Sequence, residues 1–189
     1  MKRVVVPIAP GFEEIETITI VDILRRAGIA VTLASVENGA PPAALEGRTG
    51  IKVMPDRAIS EVQVSDFDMI VLPGGLKGAQ TLQNDRHVAR LLRDFQQSDP
   101  ARKYIGAICA APIVLAANNM IAGRRLTSHP SVKDQLDGAI YDQGRVVIDG
   151  NLVTSRGPGT AMEFALTLVK LLEGQEKMQE IKEAVLAAA

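Results

Sequence analysis

Residues 4–28 read VVVPIAPGFEEIETITIVDILRRAG. A β-branched run over residues 4–9 stops at a Pro-Gly pair, and apolar residues such as Ile15 and Ile18 then recur near helical spacing over residues 13–27. Glutamates open this helix, two arginines close it and a glycine follows, in agreement with helix-dipole and capping preferences. The segment therefore predicts a strand, a tight turn and a helix.

The same alternation continues along the chain. Further strands are predicted over residues 29–36, 51–54, 68–72, 104–108 and 124–128, further helices over residues 85–97, 111–117, 160–172 and the charged C-terminal segment, and a loop over residues 37–50. Residues 145–148 and 152–154 predict a hairpin, which interrupts the alternation. Thr160 and Glu163 have the spacing of a capping box. The pattern predicts one α/β domain, residues 1–189, with a mainly parallel sheet covered by helices on both faces.

The composition bounds the class of protein. Hydrophobic residues make up 47% of the 189 residues and charged residues 23%, a balance typical of an ordinary soluble domain. With 21 basic and 22 acidic side chains the formal net charge is -1, which predicts no binding of nucleic acid or of a membrane surface. One cysteine forms no internal disulfide and no signal peptide or spanning segment is recognised, so the cytoplasm is the expected compartment.

Three segments follow strands at one predicted edge of the sheet: residues 10–16, Gly74-Gly75 and Cys109. In open α/β sheets ligands bind beyond the carboxyl ends of the strands. Cys109 lies between a strand and a short helix and has small neighbours, as a tight nucleophile elbow requires. A helix start is expected to lower the thiol pKa from about 8.5 toward about 5 to 6. The alternative, a small buried apolar cysteine, stays open at this point.

Two further titratable residues are candidates for proton transfer. Glu16 lies in the first turn of the helix, where stabilisation by the helix dipole is enough to explain a carboxylate. If its side chain instead faces the crevice, its pKa would be raised and it would shuttle a proton. His129 follows the predicted strand 124–128 and is either structural or a general base. His87 lies in a polar helical stretch and is expected at the surface. Two scattered histidines and one cysteine predict no metal site.

The glycines of residues 73–78 leave backbone amides accessible to a ligand. This segment reads PGGLKG and lacks both the dinucleotide fingerprint and the ending of a phosphate loop, so no cofactor is predicted. One of its amides and that of Ala110 can form an oxyanion hole beside Cys109. Arg156, in the turn over residues 155–160, is available for a carboxylate or carbonyl group.

Five motifs follow one another along the chain. They are GFEEIE at residues 11–16, LPGG at 72–75, AICAAP at 107–112, HP at 129–130 and SRGPGT at 155–160. Together they resemble the ThiJ/PfpI superfamily and, within it, the subgroup of the Parkinson-disease-associated protein deglycase. The match is collinear over residues 4–174 and favours functional roles for Glu16 and Cys109.

The resemblance implies a flavodoxin-like three-layer sandwich of the class I glutamine amidotransferase-like type, usually a homodimer. It implies that Cys109 is the nucleophile, that Glu16 is its proton partner and that His129 completes the pocket.

The resemblance also implies roles for backbone amides and for residues near the pocket. The amides of Gly75 and Ala110 match the family's oxyanion site, and Arg156 with Pro158 matches a segment near the pocket. Leu76 is apolar, whereas some relatives have a polar residue at this position. A peptidase is disfavoured, because Ala110 stands where the protease-like branch has a histidine.

The expected function is cofactor-independent detoxification of reactive dicarbonyls, either free methylglyoxal as a glutathione-independent glyoxalase or glycated amines as a deglycase. A different class of function uses the same cysteine as an oxidative-stress sensor or a redox-regulated chaperone. A third possibility is another small-molecule hydratase or hydrolase of the superfamily.

Overall fold

The structure, a computed structural model, describes residues 1–36, 43–99 and 103–187. The strands are β1 Arg3–Ile8, β2 Ala30–Ser35, β3 Leu45–Glu46, β4 Lys52–Val53, β5 Arg57–Ala58, β6 Met69–Leu72, β7 Tyr104–Ile108, β8 Arg125–Leu126, β9 Ile140–Tyr141, β10 Val146–Asp149 and β11 Leu152–Ser155. The helices are α1 Glu14–Arg26, α2 Leu76–Asn84, α3 Arg86–Gln97, α4 Pro112–Ala117, α5 Ala161–Glu173 and α6 Gln175–Ala184.

A seven-stranded sheet in the order β10-β11-β7-β6-β1-β2-β5 forms the centre of the molecule. Its pairings are parallel except that between β10 and β11, which form the predicted antiparallel hairpin. The predicted strand at 124–128 is reduced to β8, which pairs with β9 outside this sheet. The parallel strands therefore point their carboxyl ends at one edge, where β6, β7 and β11 lead into the candidate site.

Helices cover both faces of the sheet. Side chains of β1 alternate between two apolar cores, with Val5 on one face and Val4 and Val6 on the other. Apolar residues of α2, α3 and α4 pack in the core that contains Val5, and those of α1, α5 and α6 pack in the other. The expected three-layer α/β sandwich is confirmed, and none of the described helices is long and apolar enough to cross a membrane.

Helix α1 differs from the sequence prediction in the face that it buries. Ile15 and Ile18, which helped to identify the helix, are 58% and 43% exposed. Its buried face instead includes the polar residues Glu14, Glu16 and Thr17. The carboxylates are therefore held inside the protein, whereas the isoleucines form an apolar outer surface.

Two other local predictions are corrected, and a third lies partly outside the described residues. Helix α2 was not predicted: its first residues belong to the glycine-rich segment 73–78, and no element was predicted for the rest of it. The capping box at Thr160 is not formed, because its hydroxyl bonds Ser155 and the backbone of the preceding turn instead of capping α5. Of the predicted loop 37–50, residues 37–42 lie outside the described part of the chain, and Leu45–Glu46 form strand β3 instead of loop.

Candidate active site

Cys109 follows β7 in a conformation that is uncommon for a residue with a side chain. Its φ is +64°, in the left-handed region. Hydrogen bonds hold the backbone on both sides: the Cys109 N–H donates to the Ser155 carbonyl at 3.0 Å, and the His129 N–H donates to the Cys109 carbonyl at 2.8 Å. Strained residues of this kind persist where their surroundings fix them, commonly at active sites. The geometry is that of the predicted nucleophile elbow.

Glu16 reaches the elbow from the first turn of α1. The residue is fully buried, and its Oε2 accepts a hydrogen bond from the Gly74 N–H at 2.8 Å. A methyl group added to Gly74 would lie 2.5 Å from Glu16 Oε2 and 3.1 Å from Cys109 Sγ. The carboxyl and thiol groups therefore meet over the Cα atom of Gly74, where a side chain has no room.

The pKa of Glu16 is raised from 4.5 to about 7. Burial is the main cause, because it removes water from the ionised form, and the nearby charge of Glu13 adds to the effect. The Cys109 thiol, the Gly74 amide and the more distant Arg48 act in the opposite direction. Oε1 is buried without a hydrogen-bond partner among the described residues, so no donor there stabilises the negative charge of the ionised carboxyl group. Glu16 can therefore keep its proton near neutral pH.

Burial also raises the pKa of the Cys109 thiol, to about 12. The charge of Glu16 and its hydrogen bond with the thiol raise it further, whereas the backbone N–H groups of Gly75 and Ala110 lower it. This direction is opposite to the one predicted from the helix start alone. Because the charge of Glu16 opposes ionisation of the thiol, a thiolate forms most readily when the carboxyl is protonated.

The second backbone donor near the sulfur comes from Gly75, whose backbone lies close to another segment of the chain. Its φ is +85°, and a methyl group there would lie 2.3 Å from the Gly11 carbonyl oxygen. Its amide and that of Ala110 both lower the pKa of the thiol, so they supply hydrogen-bond donors to the sulfur of Cys109. The same donors suit an oxyanion that forms on a carbon attacked by Cys109.

The neighbouring carboxylates of the first turn have other partners. Glu13 caps α1 by accepting the Glu16 N–H at 2.7 Å. Glu14 accepts both the N–H and the hydroxyl of Thr49 at 2.7 Å. These hydrogen bonds lower the pKa of Glu14 although burial opposes its ionisation. Among the three glutamates, Glu16 is therefore the one that faces the thiol.

The His129 side chain lies outside this pair. The residue is exposed, and its Nδ1 lies 2.7 Å from the Ser131 hydroxyl and accepts the Ser131 N–H at 3.2 Å. No hydrogen bond joins its ring to Cys109 or Glu16 within the described residues. An accepting Nδ1 places the proton of the neutral ring on Nε2. The structural contribution of His129 to the elbow is thus its backbone N–H.

A cavity of about 330 Å³ is lined by His129 together with Arg156 and Pro158, and we call it the His129–Arg156 cavity. The structure thus brings Cys109, Glu16 and the two amides together, whereas the other three predicted residues line the neighbouring His129–Arg156 cavity.

Sequence reasoning missed the Gly74 amide as the partner of Glu16, although the Gly74-Gly75 pair after a strand was a usable signal. His87, expected at the surface, is half-buried and contacts the Arg86 side chain. In the described ranges no three His, Cys, Asp or Glu side chains cluster as metal ligands.

The fold and the elbow define a class of protein: an α/β sandwich with a cysteine in a strained turn after a strand, next to a buried glutamate. The sequence profile of the DJ-1/PfpI family matches residues 2–171, and the chain belongs to that family.

Individual relatives agree with this assignment. The chain is 45% identical to protein dj-1beta of Drosophila melanogaster, over 99% of this chain and 98% of the relative. The crystal structure of that protein has a TM-score of 0.92 over 100% of this chain and 99% of its own. A glutathione-independent glyoxalase, DJR-1.2 of Caenorhabditis elegans, is 39% identical over 89% of this chain and 87% of the relative. The solved structure of oxidized Toxoplasma gondii DJ-1 is 35% identical, with a TM-score of 0.91 over 100% of both chains.

Proposed function

We propose that the protein is a glutathione-independent glyoxalase that converts methylglyoxal to lactate, with glycated amines as a second group of substrates. The observation that carries the proposal is the pairing of Cys109 with Glu16 over Gly74, beside the amides of Gly75 and Ala110. The similarity to a relative named as a glutathione-independent glyoxalase supports the same reaction class.

In the first step the sulfur of Cys109 attacks the aldehyde carbon. A C–S bond forms, and the π electrons of the carbonyl group move to its oxygen, which the two amides stabilise as an oxyanion. Proton transfer to this oxygen gives a hemithioacetal. The thiol ionises while Glu16 is protonated and releases its proton to water. Glu16 then donates its own proton to the oxyanion, which leaves the carboxyl group ionised for the second step.

In the second step a proton moves between adjacent carbon atoms. Glu16, ionised by that transfer, removes the proton from the carbon bound to sulfur, and the C–H electrons form a carbon–carbon double bond. The π electrons of the neighbouring carbonyl group move to its oxygen, which takes the proton of the adjacent hydroxyl group and so forms the enediol intermediate. The proton then returns to the neighbouring carbon, which gives a lactoyl thioester. Water hydrolyses the thioester, releases lactate and restores the thiol. The reaction consumes one water and needs no external oxidant or reductant.

Glycated amines fit the same chemistry. In an early adduct, a hemiaminal, the former aldehyde carbon carries both a hydroxyl group and the amine nitrogen. Cys109 forms a C–S bond to this carbon as the C–N bond breaks, which gives the same hemithioacetal and the free amine. A pKa near 7 lets Glu16 protonate the departing nitrogen and later act as a base. Because the chemistry needs a reduced thiol, we propose a cytoplasmic location.

A second candidate is sensing of oxidants at the same cysteine. Cys109 is half-buried and its sulfur faces two N–H donors and a carboxyl group that can bond the oxygens of a sulfinate. The relative from Toxoplasma gondii, solved as oxidized DJ-1, favours this candidate. Saturable turnover supports catalysis, whereas a mass gain confined to Cys109 with altered client binding supports sensing.

We also propose a homodimer formed through an apolar surface. Ile15, Ile18, Ile51 and Met54 are each more than two-fifths exposed, and the Glu14–Thr49 hydrogen bonds hold their two segments together. Exposed apolar patches of this kind mark association sites. Light scattering should give twice the chain mass for the wild type and one chain mass for the double variant Ile15→Glu, Ile51→Glu. A wild-type monomer at micromolar concentration contradicts the proposal.

The enzyme proposal is tested by lactate formation from methylglyoxal without glutathione. The wild type should turn over, and Cys109→Ser should lose at least about 1000-fold in kcat/KM because a hydroxyl group replaces the far more nucleophilic thiol. Ser98→Ala, at the end of α3, is a matched control for expression and folding. Full activity in Cys109→Ser refutes the mechanism, and an inactive wild type moves the assignment to oxidant sensing.

A further inference from the structure

The His129–Arg156 cavity has no part in the chemistry proposed above. It adjoins the nucleophile, because the His129 N–H donates to the Cys109 carbonyl and the Cys109 N–H donates to the Ser155 carbonyl. The two segments that hold the elbow are therefore also the walls of the cavity. A substrate bound to Cys109 that extends along these two segments would reach the cavity.

Arg156 gives the cavity a positive charge without an acidic partner. Its Nη1 donates to the Gln143 carbonyl at 3.1 Å, which orients the guanidinium but leaves its charge in place. The described residues give Arg156 no salt bridge. Arg145, on the same cavity, is paired with Glu163 at 2.7 Å and also donates to the Gly159 carbonyl. Arg156 thus retains donors and charge for a ligand, whereas Arg145 is satisfied within the protein.

His129 adds a second donor on the opposite wall. Since its Nδ1 accepts the Ser131 N–H, its Nε2 carries the proton of the neutral ring. The adjoining Cδ2 atom faces the other wall, because a methyl group on Gly157 would lie 3.6 Å from it. An N–H group and a guanidinium therefore lie on the two walls of one cavity.

Thr160 keeps the wall of Arg156 in shape. Its Oγ1 lies 2.7 Å from the Ser155 hydroxyl and accepts the N–H groups of Arg156 and Gly157 at 3.2 and 3.1 Å. This network explains why the threonine does not cap α5. The turn that carries Arg156 is therefore already ordered before a ligand binds, which reduces the entropy cost of binding.

We infer that the His129–Arg156 cavity is an anion subsite that receives a carboxylate carried by the substrate. The inference rests on the proposed function and specifies its substrates: 2-oxoaldehydes with a carboxylate at the end remote from the aldehyde, and dicarbonyl adducts of amines that bear a carboxylate. A guanidinium binds both oxygens of a carboxylate, and the His129 N–H provides a further bond.

The test compares two five-carbon 2-oxoaldehydes of matched length, 4,5-dioxopentanoate with a terminal carboxylate and 2-oxopentanal with a terminal methyl group. The wild type should prefer the carboxylate by at least about tenfold in kcat/KM, the factor expected for one charge-assisted hydrogen-bonded pair. Arg156→Gln should remove most of this preference through KM, and Arg156→Lys should restore part of it. Arg93→Gln, an exposed arginine on α3, is the matched control and should keep the wild-type ratio.

A second readout does not depend on turnover. Both compounds form a hemithioacetal with Cys109, the only cysteine, and so protect it from iodoacetamide, which intact mass records. Half-protection should need at least about tenfold less of the carboxylate compound in the wild type but not in Arg156→Gln. Selective protection without turnover of either compound would refute the proposed enzyme and leave the subsite standing. Equal protection by both compounds, or a preference unchanged in Arg156→Gln, overturns the subsite.

Discussion

Glu16 and Asp149 lie at opposite ends of the central sheet, and each carboxylate accepts a backbone N–H. Asp149 ends β10, where it accepts the side chain of Arg124 at 2.8 Å and the N–H of Arg125 at 3.0 Å. The hydrogen bond from Arg124 is the main cause of its lowered pKa. Glu16 is fully buried with the amide of Gly74, and within the described residues it has no ion pair.

The difference between these carboxylates shows how one fold separates stability from reactivity. A cation and partial contact with water keep Asp149 ionised, so its charge ties two segments together. Burial without an ion pair raises the pKa of Glu16, whereas the pKa of Asp149 is lowered. Four predictions test this contrast, and three of them follow in order of expected size.

The largest effect is expected from a methyl group at the site end of the sheet. Gly75→Ala should lower the free energy of unfolding by about 4 kcal/mol, because it combines left-handed strain with a clash against the backbone of Gly11. Gly28→Ala, at the opposite end with φ +78° and open space around it, should cost only about 1 kcal/mol. Urea denaturation of both variants measures the difference. Equal losses would show that the close approach at Gly75 is not required.

The next effect concerns pH and Glu16. Its pKa is 4.5 in the unfolded chain and about 7 in the folded protein, so the folded state holds the extra proton between these values. The stabilisation is complete below pH 4.5 and is lost as the pH rises through 7, a change of about 3 kcal/mol. Denaturation from pH 4.5 to 8 should show this fall in the wild type and in Glu61→Gln, but not in Glu16→Gln. A parallel fall in Glu16→Gln would assign it to other groups.

The smallest effect is expected at Asp149. Asp149→Ala should cost about 1 kcal/mol at pH 7, since its ion pair with Arg124 is partly exposed to water. Its lowered pKa contributes stability above the unfolded value of 3.8, and this is lost as the pH falls through the folded pKa. The cost should therefore shrink at pH 3, in the direction opposite to Glu16. Asp22→Ala, in an exposed pair with Arg26, should cost only about 0.3 kcal/mol. Loss of turnover in Asp149→Ala would contradict the view that this end of the sheet contributes stability but not activity.

Much of the sheet was predictable because its strands are covered on both faces. The prediction for β7, residues 104–108, agrees with the structure to the residue. Helix α2 was missed because Gly75 and Gly78 resemble a turn. At Gly78 a methyl group would lie 3.0 Å from the Phe12 nitrogen, so this glycine serves close packing inside a helix. Sequence patterns do not distinguish those two uses of glycine.

The sequence predicted that Cys109 and Glu16 lie close together, but it did not predict the electrostatics around them. The motifs identified Cys109 and Glu16, and the structure brings them together over Gly74. The direction of the thiol pKa was wrong, because the sequence showed the helix start next to Cys109 but not its burial or its contact with Glu16. Likewise, the spacing of Ile15 and Ile18 identified α1 correctly but not which of its faces is buried.

The central claim is that Glu16 retains its proton near neutral pH, and NMR titration of its carboxyl carbon tests this most directly. With 13C-labelled glutamate, the signal absent from Glu16→Gln identifies the group in the wild type. A midpoint of about 7 is the predicted result. A midpoint near the ordinary 4.5 would mean that Glu16 is ionised at neutral pH and would contradict its role as proton partner of Cys109.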